Sequence, residues 1–231
     1  MHAWFLNLGP PSKVSIKEAN SDIRAILATE PDLFLGCEGV GKGRLPNDDK
    51  YGVIRDLSTE GRANIFAYAK GGIPAFEWKD MKLKFPKKPG TPGMHAARSF
   101  VRFNYKGAQI VVAHNQPDWF GTGPSRLEHE ARLVHNLAPW TDLEQWKQRK
   151  IDVREESRAR ARMLFWDRNM QMPEAREFAE RVDGWVVGEE IDCAITRHVT
   201  VINKGYTRKV DGHTVHTDHP WGAFHLQFRL D

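Results

Sequence analysis

Apolar residues fall along this chain in short blocks, each closed by glycine, proline or a small polar residue. The blocks are "AWFLNL" at 3–8, "DLFLGCE" at 32–38, "RANIFAYAK" at 62–70 and "ARSFVRFNYKGAQIVVAHNQP" at 97–117, followed by "RMLFWDRN" at 162–169, "DGWVVGEEIDCAIT" at 183–196, "HVTVINKGYTRKV" at 198–210 and "AFHLQFRL" at 223–230. Blocks of this length between turn formers predict strands. The 97–117 block is long enough for two, turning at "NYKGAQ" as a hairpin. "DGWVVGEEIDCAIT" predicts one strand running through Asp192.

Helical spacing appears between them. Ser15 and Glu18 have the spacing of a capping box, and Ile16, Ala19, Ile23, Ile26 and Leu27 share one face until Pro31 ends the pattern. Leu127, Ala131, Val134 and Leu137 recur at the same spacing and stop at Pro139. A further helix is expected over 173–181, and the charged stretch 141–160 reads as partly helical, with "EESRARAR" a solvated surface run. Strands dominate, and no repeat, linker or low-complexity segment divides the chain, so residues 1–231 are expected to form one domain.

Composition supports a packed core. Hydrophobic residues make up 40% of the chain, with 8 Trp and 12 Phe, and a charged fraction of 28% supplies the surface. Cys37 and Cys193 both sit in apolar runs and read as buried thiols, which argues against a disulfide framework or a cysteine zinc site. The N-terminus lacks a signal-peptide pattern and no apolar run approaches membrane length, so a cytoplasmic protein without membrane contact is expected. The formal charge of +4 tolerates a polyanion without requiring one. Charge is concentrated in "KDMKLKFPKKPG" at 79–90, read as a loop whose lysines are solvated or contact phosphate.

Position is the informative feature of the polar residues. Asn7, Glu38, His114, Asp167 with Asn169, Asp192, and Asp218 with His219 each stand at or just beyond the end of an apolar block. In a layered sheet protein such ends can converge on one rim. Asp, Glu and Asn oxygens suit hard cations such as Mg²⁺ or Mn²⁺, and histidines beside them can move protons or hold a phosphate. Taken singly, each has an ordinary structural reading as a turn, a cap or a surface acid. His216 reads as a surface residue.

The ordered set resembles the endonuclease/exonuclease/phosphatase superfamily, the group of deoxyribonuclease I and exonuclease III. The residues that carry the resemblance are Asn7, "LGCE" with Glu38, "VVAHNQP" with His114, "FWDRN" with Asp167 and Asn169, "EIDCAI" with Asp192, and "HTDHPWGAF" with Asp218 and His219. The resemblance implies an α+β fold, a four-layer α/β/β/α sandwich of two packed mixed sheets with helices outside. It implies that Glu38, with Asn7 and Asp218, binds Mg²⁺ or Mn²⁺, and that Asp167 and Asn169 orient water or steady the leaving oxygen. It also implies that His219, oriented by Asp192, contacts the scissile phosphate, with His114 opposing it. Trp166 and Arg168 depart from the family pattern "GDFN". The acid that partners His114 is sought near Glu60 and Arg62 and left open.

The function expected is metal-dependent hydrolysis of nucleic acid, DNA first, by a monomer, with Arg168, Lys82 and Lys84 as substrate contacts and Arg44, Trp119 and Trp221 near the rim. Two other readings stay open: a phosphatase or phosphodiesterase of a small phosphorylated molecule, and a catalytically silent nucleic-acid-binding relative.

Overall fold

The computed structural model describes residues 1–10, 12–38, 45–55, 65–72, 76–84, 95–114, 161–168, 172–181 and 184–231, with the backbone path alone for 55, 76–84, 95–100 and 181. The expected helices at 125–140 and within 141–160 lie outside the described residues, as do Arg44, Glu60, Arg62, Trp119 and Asn169.

In chain order the strands are β1 (His2–Asn7), β2 (Leu33–Cys37), β3 (Tyr51–Arg55), β4 (Phe66–Lys70), β5 (Phe76–Lys84), β6 (His95–Tyr105) and β7 (Ala108–His114). They continue with β8 (Arg162–Asp167), β9 (Trp185–Val187), β10 (Asp192–Arg197), β11 (Val199–Thr207), β12 (Lys209–Val210), β13 (His213–Thr214) and β14 (Ala223–Leu230). The described helices are α1 (Ile16–Ala28) and α2 (Met172–Arg181). Strands pair in the order β11-β14-β1-β2-β4-β3 in one sheet and β5-β6-β7-β8-β10-β9 in the other, with β12-β13 a separate hairpin. Both sheets are mixed: β1 runs parallel to β2 and β7 parallel to β8, while the other pairs are antiparallel.

Side-chain alternation builds the layers. Along β1, Ala3 and Phe5 join the core between the sheets, while Trp4 and Leu6 join Ala19, Ile23, Ile26 and Leu27 of α1. Phe34, Phe66 and Tyr68 extend that second cluster, and Leu33, Leu35, Ala67 and Ala69 the first. On the other sheet Trp166 meets Phe178 of α2 with ring centroids 4.8 Å apart. The sequence is therefore helix, sheet, sheet, helix, and the expected four-layer α/β/β/α sandwich is what the chain forms. Trp166 stands where the family pattern has glycine, and its bulk is taken up beneath α2.

Local rules account for the connections. Ser15 accepts from the Glu18 amide and Glu18 accepts from the Ser15 amide, the capping box read from the sequence. The β6–β7 hairpin turns on Lys106 and Gly107, both at positive φ, the type I′ geometry that matches strand twist.

Three expectations need correction, and one strand went unread. Ile16 shares the apolar azimuth of α1 but lies on its first turn, ahead of the stretch the sheet covers, and is 48% exposed. Asp22 is buried instead. The lysine-rich loop begins as a strand: residues 79–84 complete β5 in an unbroken register against β6, so Lys82 and Lys84 belong to a sheet strand. β3, "YGVIR", is an edge strand that the apolar pattern did not reveal. The single strand through Asp192 is two, β9 and β10, and Asp192 begins the second.

Candidate active site

Strand direction brings the polar residues together. β1 and β2 run parallel, so Asn7 and Cys37 end side by side, and β7 and β8 run parallel, so His114 and Asp167 do the same. β10 runs antiparallel to β8, which sets Asp192, its first residue, opposite Asp167. Ends of both sheets thus meet at one rim, and the loop from Val215 to Gly222 closes over it.

Asn7 bridges the sheets. Its Oδ1 accepts from the Gly9 amide at 2.8 Å, which turns Nδ2 toward Asp167 Oδ2, also at 2.8 Å. Gly9 adopts φ +71°, and a Cβ there would lie 3.1 Å from Asp218 Oδ1, so the turn needs glycine. Thr217 Oγ1 donates to the Asn7 carbonyl at 2.6 Å and accepts from the His219 amide at 3.2 Å, tying the closing loop to the end of β1. Thr217 was missed in the sequence, although a hydroxyl just ahead of an Asp-His pair was the available signal.

His219 lies between two acids. Its Nδ1 is 2.5 Å from Asp192 Oδ2, and its Nε2 is 3.4 Å from Asn7 Nδ2 and 4.0 Å from Asp167 Oδ2. The indole Nε1 of Trp221 donates to the same Asp192 oxygen at 3.0 Å. Trp221 was expected near the rim, and the structure gives its N–H a task in holding Asp192. Tyr206 secures the start of β10: its hydroxyl donates to the Asp192 carbonyl and accepts from the amides of Glu189 and Glu190. Nothing in the sequence marked Tyr206 beyond its place in an alternating strand. On the far side of Asp167, His114 Nε2 lies 3.2 Å from Oδ2.

Crowded acids in a dry setting set the protonation states. Burial is the main reason Asp167 is pushed up to about 8, with the negative charges of Asp192 and Glu38 adding to it and His219 and the Asn7 hydrogen bond opposing it. Burial works against the His219 imidazolium, but the charge and hydrogen bond of Asp192, with Asp167 and Asp218 behind them, outweigh it and raise the pKa to about 9. An imidazolium beside a carboxyl that titrates near neutrality gives the rim one group to hold a phosphate charge and another to exchange a proton.

Glu38 follows β2 at φ +59°, a left-handed conformation unusual for a side chain of its size, with its charge close enough to act on Asp167. Asp218 pairs through Oδ2 with Lys13 at 3.1 Å on the exposed side, while Oδ1 faces the Gly9 turn. Arg168 is displaced from its expected role. It is buried, and its guanidinium donates to the carbonyls of Glu190 and Glu189 at 3.0 and 3.1 Å, holding the β9–β10 connection rather than facing a substrate.

The donor set fits a hard divalent cation. Oδ1 of both Asp167 and Asp192 is buried and has no hydrogen-bond partner among the described residues, and Glu38 lies close enough for its charge to act on Asp167. Buried carboxylate oxygens without donors are costly unless a proton or a cation meets them.

No protein-family profile matches the sequence, and no curated protein does. Several solved structures match over nearly the whole of both chains. A D. rerio TDP2 complexed with single strand DNA product is 13% identical, with a TM-score of 0.61 covering 99% of this chain and 98% of that one. The human Nocturnin catalytic domain with bound sulfate anion is also 13% identical, with a TM-score of 0.61 over 100% and 94% of the two chains. An endonuclease/exonuclease/phosphatase family protein from Leptotrichia buccalis is 12% identical, with a TM-score of 0.58 over 100% of both. The chain has the endonuclease/exonuclease/phosphatase fold. Within that fold the rim described above is the end of the sandwich where strands of both sheets stop together.

Proposed function

We propose that this protein is a divalent-metal-dependent phosphodiesterase acting on nucleic acid, with DNA as the first substrate to test. The observation that carries the reading is the cluster assembled from both sheets, in which Trp221 and His219 hydrogen-bond to Asp192, Asn7 donates to Asp167, and His219 Nε2 faces Asn7 and Asp167 at 3.4 and 4.0 Å. The TDP2 and Nocturnin likenesses support it through the molecules named with them, a DNA product and a sulfate.

Glu38, with Asn7 and Asp218, would hold Mg²⁺ or Mn²⁺, which supplies positive charge to the phosphate oxygens as the transition state forms. Asp192 fixes the His219 ring through Nδ1 and keeps it charged, so Nε2 presents a proton to a non-bridging phosphate oxygen. Asp167, with a pKa near 8, takes the proton of the attacking water as the new P–O bond forms. Asn7 holds Asp167 in place while doing so. His114, on the other side of Asp167, would oppose His219 as the second imidazole of the site, and the leaving oxygen takes up a proton from solvent as the old P–O bond breaks. Asn169, two residues beyond Asp167, would assist in orienting water, and Lys82 and Lys84 would meet the polyanion beyond the rim.

Labelled single- and double-stranded oligonucleotides incubated with Mg²⁺ or Mn²⁺ test this. Cleavage that stops on chelation, and binding that weakens steeply with salt, are expected. Intact oligonucleotides under both metals would remove the proposal, and turnover of small phosphate esters with flat salt dependence would redirect it to a small-molecule phosphoesterase.

A further inference from the structure

A second group of ligand-type side chains lies on other elements, where α1 meets the β12–β13 hairpin. Asp22 is fully buried on α1, and two imidazoles from the hairpin and the segment after it converge on its Oδ1: His213 Nε2 at 2.7 Å and His216 Nδ1 at 2.9 Å. The histidines are three positions apart, and their rings are inclined at 60° with centroids 5.8 Å apart, so two different ring nitrogens face one point. The three ligand atoms lie within 4.8 Å of one another. We propose that Asp22, His213 and His216 form a binding site for a borderline divalent cation of the zinc type, separate from the cation at the rim.

Three observations carry it. The first is the donor set, two imidazoles and one carboxylate, which suits Zn²⁺ with a fourth position left to water, whereas Mg²⁺ prefers oxygen alone. The second is orientation. Asp22 Oδ2 accepts from the His216 backbone amide at 2.8 Å, which fixes the carboxylate so that Oδ1 is the atom turned to both rings, the kind of outer contact that aims a ligand. The third is access combined with charge. Asp22 has no exposure, but the side chains of His213 and His216 are 27% and 40% exposed, so an ion can enter past the rings and meet a buried carboxylate. Among the described residues those imidazoles are the only ion-pair partners of Asp22.

Ligand atoms bound to one zinc at about 2.0–2.1 Å stand roughly 3–3.5 Å apart, so opening the present contacts by a few tenths of an ångström converts them to coordination. The hairpin is well placed to keep them there. Asp211 and Gly212 turn it with positive φ, and Val210 and Val215 anchor it in the core against α1. A bound ion would fasten the hairpin to α1 just ahead of Thr217 and His219.

The test is zinc uptake by the chelator-stripped protein, followed by calorimetry, with Co²⁺ as a spectroscopic probe. The wild type should bind one equivalent that His213→Gln/His216→Gln lacks, with a zinc-dependent rise in Tm lost in the same variant, while Asp167→Asn keeps both. A tetrahedral Co²⁺ spectrum should accompany that equivalent. Equal zinc uptake and equal Tm response in wild type and double variant would overturn the site and leave a hydrogen-bonded His-Asp-His cluster. Should the double variant fail to fold, X-ray absorption of the wild type with one equivalent of zinc decides: two imidazoles on the metal support the site, and one or none overturns it. Loss of nuclease activity at the rim would not affect either readout.

Discussion

Asp192 and Asp22 are equally sealed from solvent and both hold histidine, yet the two regions are built for different chemistry. At the rim, Asp192 stands opposite a second buried acid, Asp167, with the charges of Glu38 and Asp218 near by, and two imidazoles serve them, His219 at Asp192 and His114 at Asp167. That imbalance of negative charge holds His219 protonated and Asp167 within reach of neutrality. On α1 a single carboxylate is shared by two partly exposed imidazoles, and both rings spend a nitrogen on it. His219 likewise spends one nitrogen, Nδ1, but its Nε2 faces the gap between the sheets, toward Asn7 and Asp167. Counting acids against histidines, and asking where the remaining ring nitrogen faces, separates the two arrangements.

The widest separation between the two regions should come from His219→Ala. Removing the charged ring is expected to lower kcat about 10²–10⁴-fold with the fold intact, measured by oligonucleotide cleavage alongside circular dichroism. A loss below tenfold would take His219 out of the reaction. Asp22→Ala should act mainly on stability. It strips acceptors from His213, His216 and the His216 amide at a buried position, with an expected cost of about 3 kcal/mol in urea unfolding. Unchanged stability would mean that the clamp carries nothing.

Asp192→Asn sharpens the rim side through pH. The pKa of His219 is about 9 in the folded chain, above its ordinary 6.5, so its pairing adds stability in full below pH 6.5 and loses it as the pH rises through 9. The stability gap between wild type and Asp192→Asn should therefore narrow across that window. In kcat/KM, the alkaline limb should move from about 9 toward 6.5 in the variant. An alkaline limb that does not move would show that another group sets it.

The same contrast explains what the sequence made legible. The meeting of Asn7, His114 and Asp167 was readable because each closes an apolar block, and strands that run to a common rim deliver their last residues there, whereas His219 arrives on the loop before β14. Asp192 was readable as a neighbour of the other acids but not as the start of a strand, since "WVVGEEIDCAIT" offers no sharper break than Gly188. The Asp22 cluster was hidden for a tertiary reason. Asp22 flanks the apolar face of α1, and it is buried only because a hairpin from near the end of the chain covers that flank. Asp211-Gly212, a strong two-residue turn signal, could have revealed the hairpin, and His216 would then have read as inward-facing rather than as surface. Arg168 failed similarly, because its partners are backbone carbonyls that no side-chain pattern records.

The smallest effect is the most discriminating, because it concerns one proton donor. Trp221 donates to the Asp192 oxygen that also meets His219 Nδ1, so the indole and the imidazole compete for one negative charge. Trp221→Phe keeps the ring against His219 and removes the N–H. Asp192 then has one fewer donor to share its charge with, so the His219 pKa should rise and the alkaline limb of kcat/KM should move upward, opposite to the shift expected for Asp192→Asn. At the same time Asp192 is less firmly oriented, which should lower kcat by roughly fivefold, about 1 kcal/mol, with KM little changed. A Trp221 that merely packs would lower Tm and leave the pH profile still. Movement of the two profiles in opposite directions would identify Asp192 Oδ2 as the atom through which both residues act.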